Sequence, residues 1–265
     1  LLTARRCGQE TAGHARCPKH ETHRLNFTSC LGQCAYHRQS TMPDWMHIRY
    51  EPTLGVVHLA DAQRSLLRTR LQRLQNQRLR HDHADLALSP VYGHLANFFF
   101  EDIYGPHDFS DRNARFRQLY DKLVHIVGPK PLATMKESLE LVELTDILDD
   151  YLIDVLVLHG KTGEWTLEEY EWGYRECDNY LARVEQIERI GATLRAVADL
   201  SRLPLIDWNL RALRLPARRL GWEPTLEFLV RGYRVFHHAR NVEPFVRTVE
   251  KRETERLNRI YGLTA

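Results

Sequence analysis

Residues 97–109 read NFFFEDIYGPHDF, and this stretch decides the fold of the chain. Ser89 can cap a helix and Pro90 suits its first position, so a helix is predicted over residues 90–104. Pro106 cannot continue that helix, and the Gly-Pro pair predicts a turn. One apolar stripe at the helical spacing of three and four residues runs through the segment: Tyr92, Leu95, Phe99 and Ile103.

The turn places negative charge where a helix disfavours it. Glu101 and Asp102 lie in the last turn of the predicted helix, at the negative end of the helix dipole. One interpretation is a structural clamp, in which at least one of these carboxylates pairs with an arginine, most simply Arg112 or Arg115. The other is a functional pocket lined by Glu101, Asp102, Tyr104 and His107.

The rest of the chain after residue 60 also shows helical patterns. A capping box of Thr166 and Glu169 marks one helix start, and Gly160 and Gly163 break the helix before it. The prediction is an all-α single domain over residues 46–265 with about eight helices. Their expected ranges are 61–80, 90–104, 110–127, 131–159, 166–200, 204–219, 224–239 and 241–261.

Residues 1–45 differ from the helical part because they are polar, rich in Cys and His, and without periodicity. They are predicted to be a poorly structured leader, and the stretch before Met42 is expected to be a leader or an extended reading of the frame. Cys30, Cys34 and His37 have a spacing that one half of a zinc site could use. Zinc at the N-terminus is therefore an alternative to an unstructured leader.

Composition narrows the class of protein. A formal net charge of +2 argues against a dedicated nucleic-acid binder. No apolar run approaches the ~18 residues that span a bilayer, so no transmembrane segment is predicted and the chain is expected to be cytoplasmic. Four of the five cysteines lie within the first 34 residues, which is not a disulfide framework for the main domain.

Two segments carry uneven charge. Residues 137–154 hold seven acidic residues and no basic one, and their leucines recur on another side of the helix. Glu143 and Asp150 are expected to be exposed, and Leu144, Leu148 and Leu152 buried. The stretch from Arg202 to Arg219 has five arginines against Asp207. It could meet an acidic partner, anionic lipid or nucleic acid, but pairing with the acidic helix is the favoured interpretation.

The sequence gives little support for a catalytic or cofactor-binding motif. The chain has no G-x-S-x-G, P-loop or G-x-G-x-x-G motif, and Cys177 lies among polar residues that would not activate it. A di-iron site would require Glu-x-x-His pairs, which do not occur. Haem is a weaker alternative that rests on histidines beside predicted helices: His94, His125, His159, His237 and His238.

Four blocks of the chain resemble an uncharacterised family of all-helical bacterial proteins, a domain of unknown function. The blocks are SPVYGHLANFFFEDIYGPHDFSDRNARF, ELVELTDILDDYL, QIERIGATL and RALRLPARRLGWEPTLEFLVRGYRVF. The resemblance covers roughly residues 62–261, and its most specific parts are FFFEDIYGPHDF and LRLPARRLG. It implies a soluble helical domain and brings no activity, cofactor or catalytic residue.

Two functions follow as expectations. The first is a non-enzymatic interaction protein that binds a protein partner, or itself as a homodimer, through a helical surface. The alternative is a small-molecule or haem-binding protein, with enzyme activity left open, whose pocket lies near Glu101, Tyr104 and His107. A buried polar cavity lined by these residues would favour the alternative.

Overall fold

The described residues of the computed structural model, 57–105, 116–121, 129–204 and 206–263, are almost entirely helical and contain no strand. The all-α prediction is therefore confirmed. Besides a helical stretch at residues 116–121, these residues form ten α-helices, eight of them with seven residues or more, and one π-helix. They are α1 (Asp61–Asp82), α2 (Ala84–Leu88), α3 (Gly93–Phe98), the π-helix (Phe99–Ile103), α4 (Pro129–Leu158), α5 (Leu167–Glu176), α6 (Tyr180–Ser201), α7 (Ile206–Ala212), α8 (Arg214–Leu220), α9 (Glu223–Ala239) and α10 (Glu243–Ile260).

Local sequence signals explain several helix ends. The predicted capping box is present: Thr166 Oγ1 accepts from the N–H of Glu169 at 3.2 Å, and the Glu169 carboxylate accepts from the N–H of Thr166 at 3.1 Å. Gly160 ends the segment after α4 with a positive φ of 74°, which an L side chain rarely adopts. Pro224 and Pro244 lie in the first turns of α9 and α10, where a missing N–H costs nothing.

Three predicted helices are interrupted. The 166–200 helix divides into α5 and α6 because Asp178 takes a left-handed backbone, with φ 47°. The 204–219 helix divides into α7 and α8 at Leu213. In the 90–104 segment, Ser89 Oγ accepts from the N–H groups of residues 91 and 92, so Ser89 caps a turn from which α3 follows.

Two apolar cores hold the helices together. One joins α3 and the π-helix to α6, α9 and α10, and it contains Phe99, which is 4 % exposed, so the predicted burial of Phe99 is confirmed. The other joins α1, α4 and α5 around Leu71 and Tyr170. α6 packs against α4, α9 and α10 and thereby links the two cores.

The acidic helix α4 turns its carboxylates towards α1. Leu144, Leu148 and Leu152 are buried as predicted, but Glu143 is 6 % exposed, so its predicted exposure is wrong. Asp150 is only partly exposed because it accepts from Arg68 Nε at 2.7 Å. Arg64 and Arg68 of α1 account for this, because Arg64 lies 3.6 Å from Asp150 and Arg68 donates to it.

Among the described residues, the arginines of residues 202–219 do not pair with α4, although that pairing is the favoured prediction. Arg64 of α1 pairs with Asp154 at 2.8 Å, and Arg189 of α6 pairs with Glu140 at 3.1 Å. The arginines of the 202–219 stretch pair locally instead, as in Arg211 with Asp207 at 2.6 Å and Arg218 with Glu223 at 3.0 Å.

Two further observations concern the described residues as a whole. None of their helices is both long and apolar enough to span a membrane. Several predictions fall on residues outside the described ranges: the domain boundary at 45/46 and the roles of Cys30, Cys34, His37, His107, Arg112 and Arg115.

Candidate functional site

A cavity of about 70 Å³, lined by both polar and apolar side chains, lies between the two apolar cores. We call it the central cavity. Side chains from α1, α4, α5, α6, α10 and the end of the π-helix meet around it. Its polar lining is Gln75, Arg78, Tyr104, Thr145, Tyr170, Tyr174, Arg183, Gln186, Glu253 and Arg256, and its apolar lining is Leu79, Phe99, Ile187, Ile190, Val249, Leu257 and Ile260.

The π-helix delivers Tyr104 to this cavity. The N–H of Tyr104 donates to the carbonyl of Phe99, five residues earlier, at 2.9 Å, which is the wider spacing of a π-helix. Asn76 of α1 donates to the carbonyls of Phe100 and Tyr104 at 2.6 and 2.8 Å. The irregular turn is therefore held against α1, and π-helical segments of this kind are frequent at functional sites.

The two carboxylates of the turn point elsewhere. Glu101 is largely exposed and lies 3.7 Å from Arg80, while Asp102 pairs with Arg231 of α9. Of the residues proposed for a pocket, Tyr104 lines the central cavity, and Glu101 and Asp102 do not. Both carboxylates have arginine partners, as a clamp requires, but these come from α1 and α9, neighbours that the sequence does not identify.

Arg183 forms one wall of the cavity. Its side chain is 2 % exposed and donates to Gln186 Oε1 at 3.1 Å and to the carbonyl of Leu148 at 3.0 Å. The guanidinium also lies 4.2 Å from the centre of the Tyr174 ring, a cation–π contact. Asp149 is 3.6 Å from it, and burial raises the pKa of Asp149 although Arg183 lowers it in part.

Arg78 and Glu253 form the opposite wall. Arg78 Nη1 lies 2.6 Å from Glu253 Oε1, and the same oxygen is 2.9 Å from His83 Nε2. Burial alone would raise the pKa of Glu253, but Arg78 and His83 outweigh it and lower this pKa to about 2. The carboxylate is therefore ionised and a weak base at neutral pH.

The hydroxyls of Tyr104 and Tyr174 remain protonated. Tyr170 donates to the hydroxyl of Tyr174 at 2.9 Å. Burial raises the pKa of both Tyr104 and Tyr174 above the ordinary value. These groups can hydrogen-bond a ligand, but they are poor proton acceptors at neutral pH.

Among the buried polar atoms without a hydrogen-bond partner in the described residues are two guanidinium donors of cavity-lining side chains, Nε of Arg78 and Nε of Arg183. Leaving a buried donor unpaired costs about 1–3 kcal/mol, so native proteins seldom do so without a water or a ligand at hand. Both donors belong to side chains that line the central cavity. The two guanidinium groups therefore have unused donor capacity beside the cavity.

A family model for a domain of unknown function, DUF8198, matches residues 57–264. The chain belongs to this family. The match confirms the expected membership in an uncharacterised helical family and covers every helix described above. Neither the curated proteins nor the solved structures contain a match to this chain.

Within the described part of the DUF8198 domain, the other candidate groups are not arranged as a second site. Burial raises the pKa of the Cys177 thiol to about 12, so it is not an activated nucleophile. Within the described residues, no group of three or more His, Cys, Asp or Glu side chains could hold a metal ion. His159 and His237 contact main-chain carbonyls, at 2.9 and 3.1 Å from Nδ1.

Sequence reasoning missed most of this cavity. A signal exists for Arg183 and Gln186, because they occupy the same helical stripe as Ile190 and Leu194, at steps of three and four. Polar residues on an apolar stripe are either paired in a core or exposed to a cavity. Arg78 and Glu253 are 175 residues apart and leave no comparable signal.

Proposed function

We propose that the DUF8198 domain binds a small molecule in the central cavity. The observation that carries this proposal is the pair of buried guanidinium Nε donors, on Arg78 and Arg183, that lack acceptors among the described residues. The Tyr104 hydroxyl and these guanidinium groups would donate to acceptor oxygens of the ligand, which requires a small movement of the buried Nε atoms towards the cavity. The ligand would lay its carbon atoms on the apolar wall that Ile187 and Ile190 help to form.

The size of the cavity limits the ligand. One ordered water needs roughly 15 Å³, so the cavity has room for about five such atoms. A haem macrocycle is far larger, and no histidine is among the described residues that line the cavity. The proposal is therefore a molecule of a few carbons with one or two acceptor oxygens, such as a short carboxylic acid or its amide.

The electrostatics favour binding over acid–base catalysis. Glu253 is the single carboxylate among the described lining residues, and its pKa of about 2 makes it a poor general base. Arg78, Arg183 and Arg256 all have carboxylate partners, at 2.6, 3.6 and 2.7 Å. Because these charges are already balanced, the ligand does not need to carry a full charge of its own.

Thermal unfolding in the presence of small probes tests the proposal. Acetate, propionate, butyrate and propionamide are compared with chloride at equal ionic strength. A ligand at a hundred times its Kd stabilises by about 2.7 kcal/mol, which raises the Tm of a domain of this size by about 5–10 °C. At least one of these probes is expected to do so.

A matched pair of variants assigns the effect to the cavity. Tyr104→Phe removes only the hydroxyl that lines the cavity and is expected to reduce the stabilisation. Tyr233→Phe makes the same change on α9, where the ring stacks on His237 away from the cavity. The proposal is wrong if none of the probes stabilises the protein, or if both variants respond to the probes as the unchanged protein does.

The interaction role remains a second proposal, which one observation favours. Trp208 and Leu215 are 65 % and 69 % exposed on neighbouring helices that also carry exposed arginines. An exposed surface that carries large apolar side chains is typical of a site that contacts another macromolecule. If a protein partner or a second copy of the chain covers this surface, the mass of the assembly in solution exceeds that of one chain; a mass of one chain would leave the surface free for another occupant.

A further inference from the structure

Helices α7 and α8 present a single exposed stripe. Leu213 joins them with φ −74° and ψ −8°, which is right-handed helical backbone, so the helical spacing continues through the junction. Steps of three, four and three residues then place four side chains on one side. We call this set the Trp208 stripe: Trp208, Arg211, Leu215 and Arg218.

The whole stripe is turned away from the core. Trp208 and Leu215 are 65 % and 69 % exposed, and the side chains of Arg211 and Arg218 are 70 % and 68 % exposed. The opposite side packs on α9, where Ala217 is buried. Helices α7 and α8 therefore also have a buried side, and Trp208 and Leu215 are exposed on the side opposite to it.

Positive charge surrounds the stripe. Arg214 and Arg219 are exposed and have no carboxylate partner within the parts of the chain that the structure describes. Arg234 of the adjoining helix α9 is exposed as well. Asp207 and Glu223 offset Arg211 and Arg218, but such exposed pairs exchange readily with competing ions.

We infer that the Trp208 stripe docks on an anionic lipid surface. Arginines beside exposed Trp and Leu are the composition of helices that lie in a membrane interface, with the apolar groups inserted and the cations at the headgroups. Trp in particular favours the headgroup level, because its ring is apolar while its N–H can bond. This goes beyond ligand binding in the central cavity and does not depend on it.

A nucleic acid is the less suitable partner. Its phosphates would attract the arginines equally well, but they offer little to Leu215 and the exposed Pro216. A lipid surface uses both groups of side chains at once. Charge and apolar exposure on the same stripe therefore favour lipid.

Vesicle binding by the full chain tests the inference. The protein is expected to sediment with vesicles of phosphatidylcholine and phosphatidylserine and not with phosphatidylcholine alone, and added salt should release it. Insertion of Trp208 should shift the tryptophan emission to shorter wavelength, and Trp208→Phe should abolish this shift.

Charge variants locate the surface. Each arginine near an anionic surface contributes about fivefold to binding, so Arg214→Gln with Arg219→Gln should weaken it by roughly thirtyfold. The control, Arg247→Gln with Lys251→Gln, removes two exposed cations from α10 and should leave binding nearly unchanged.

Three results would overturn the inference: no binding to the anionic vesicles, equal binding to both kinds of vesicle, or equal loss in the two double variants. Binding of the protein to a DNA duplex is measured as well. If the duplex binds through Arg214 and Arg219 while vesicles do not bind, the surface belongs to nucleic acid and the lipid inference is wrong.

Discussion

The side-chain amide of Asn76 donates a hydrogen bond to the carbonyl of Tyr104 at 2.8 Å, across 28 residues of sequence. The same amide reaches the carbonyl of Phe100 at 2.6 Å, and Arg80 Nε donates to the amide oxygen at 3.0 Å. One buried side chain thus fixes the end of the π-helix against α1. It positions Tyr104 at the central cavity without touching the cavity itself.

Asn76→Leu is expected to lower the free energy of unfolding by about 2–4 kcal/mol, because two carbonyls lose their donor in a part-buried turn. Urea unfolding at pH 7 measures the change. Gln77→Leu is the matched control, since Gln77 is the exposed neighbour on the same helix, and it should change stability by about 0.5 kcal/mol or less. Equal effects of the two substitutions would show that the turn does not depend on Asn76.

Phe99→Ala is expected to cost about 3–5 kcal/mol of unfolding free energy. The ring is 4 % exposed and packs 4.9 Å from the ring of Tyr104, so its removal leaves a cavity in the core. Leu181→Ala is the control, because Leu181 is 79 % exposed. A melting temperature that Phe99→Ala leaves unchanged would contradict the burial.

The sequence predicts helices well where one local signal decides them. Apolar spacing places α4 and α9 within about two residues of their observed ends, and the Thr166–Glu169 box marks the start of α5. Prediction from the sequence fails where an element depends on contacts with a distant helix. No residue near Phe99 predicts a π-helix, because that turn depends on a contact with Asn76, which lies on another helix.

The site was predictable only in part for the same reason. Tyr104 belongs to the conspicuous turn, and the sequence singled it out. Arg78 and Glu253 reach the cavity from two different helices, and each alone resembles an ordinary charged residue of a solvated face, whereas Arg183 is marked only by its place on an apolar stripe. A pattern within one helix cannot show which charged residues of distant helices are brought together.

Glu253→Gln is expected to destabilise the protein at pH 7 by about 3–5 kcal/mol, because Arg78 then keeps a buried charge without its carboxylate. The pKa of Glu253 is lowered from 4.5 to about 2 in the folded protein. Its contribution to stability is therefore complete above pH 4.5 and is lost as the pH falls towards 2.

Unfolding measured at a series of pH values checks the direction of this pH dependence. The difference between the unchanged protein and Glu253→Gln should be constant near neutral pH and should shrink below pH 4.5. Glu255→Gln removes an exposed carboxylate two residues away and should show little difference at any pH. A difference that persists undiminished at pH 2 would mean that the ionised carboxylate is not the stabilising form.

Asp146 of α4 should show the opposite pH dependence. Burial raises its pKa from 3.8 to about 6, although Arg68 lowers it in part, and Asp149 and Asp150 raise it further. The folded state therefore holds the proton more tightly than the unfolded state, so stability falls as the pH rises from 3.8 to 6 and is then level. Each unit of pKa corresponds to about 1.4 kcal/mol, which gives a cost of up to about 3 kcal/mol at pH 7.

Asp146→Asn removes the charge while keeping the shape of the side chain, so it is expected to stabilise the protein at pH 7 by up to about 3 kcal/mol. The gain should fade as the pH is lowered towards 3.8, where the carboxyl of the unchanged protein is protonated in the folded state. Asp199→Asn, with a side chain 60 % exposed, is the control and should change stability little at either pH. A loss of stability in Asp146→Asn at pH 7 would mean that the attraction of Arg68 outweighs burial, and that the carboxylates of α4 stabilise its packing on α1 as a group.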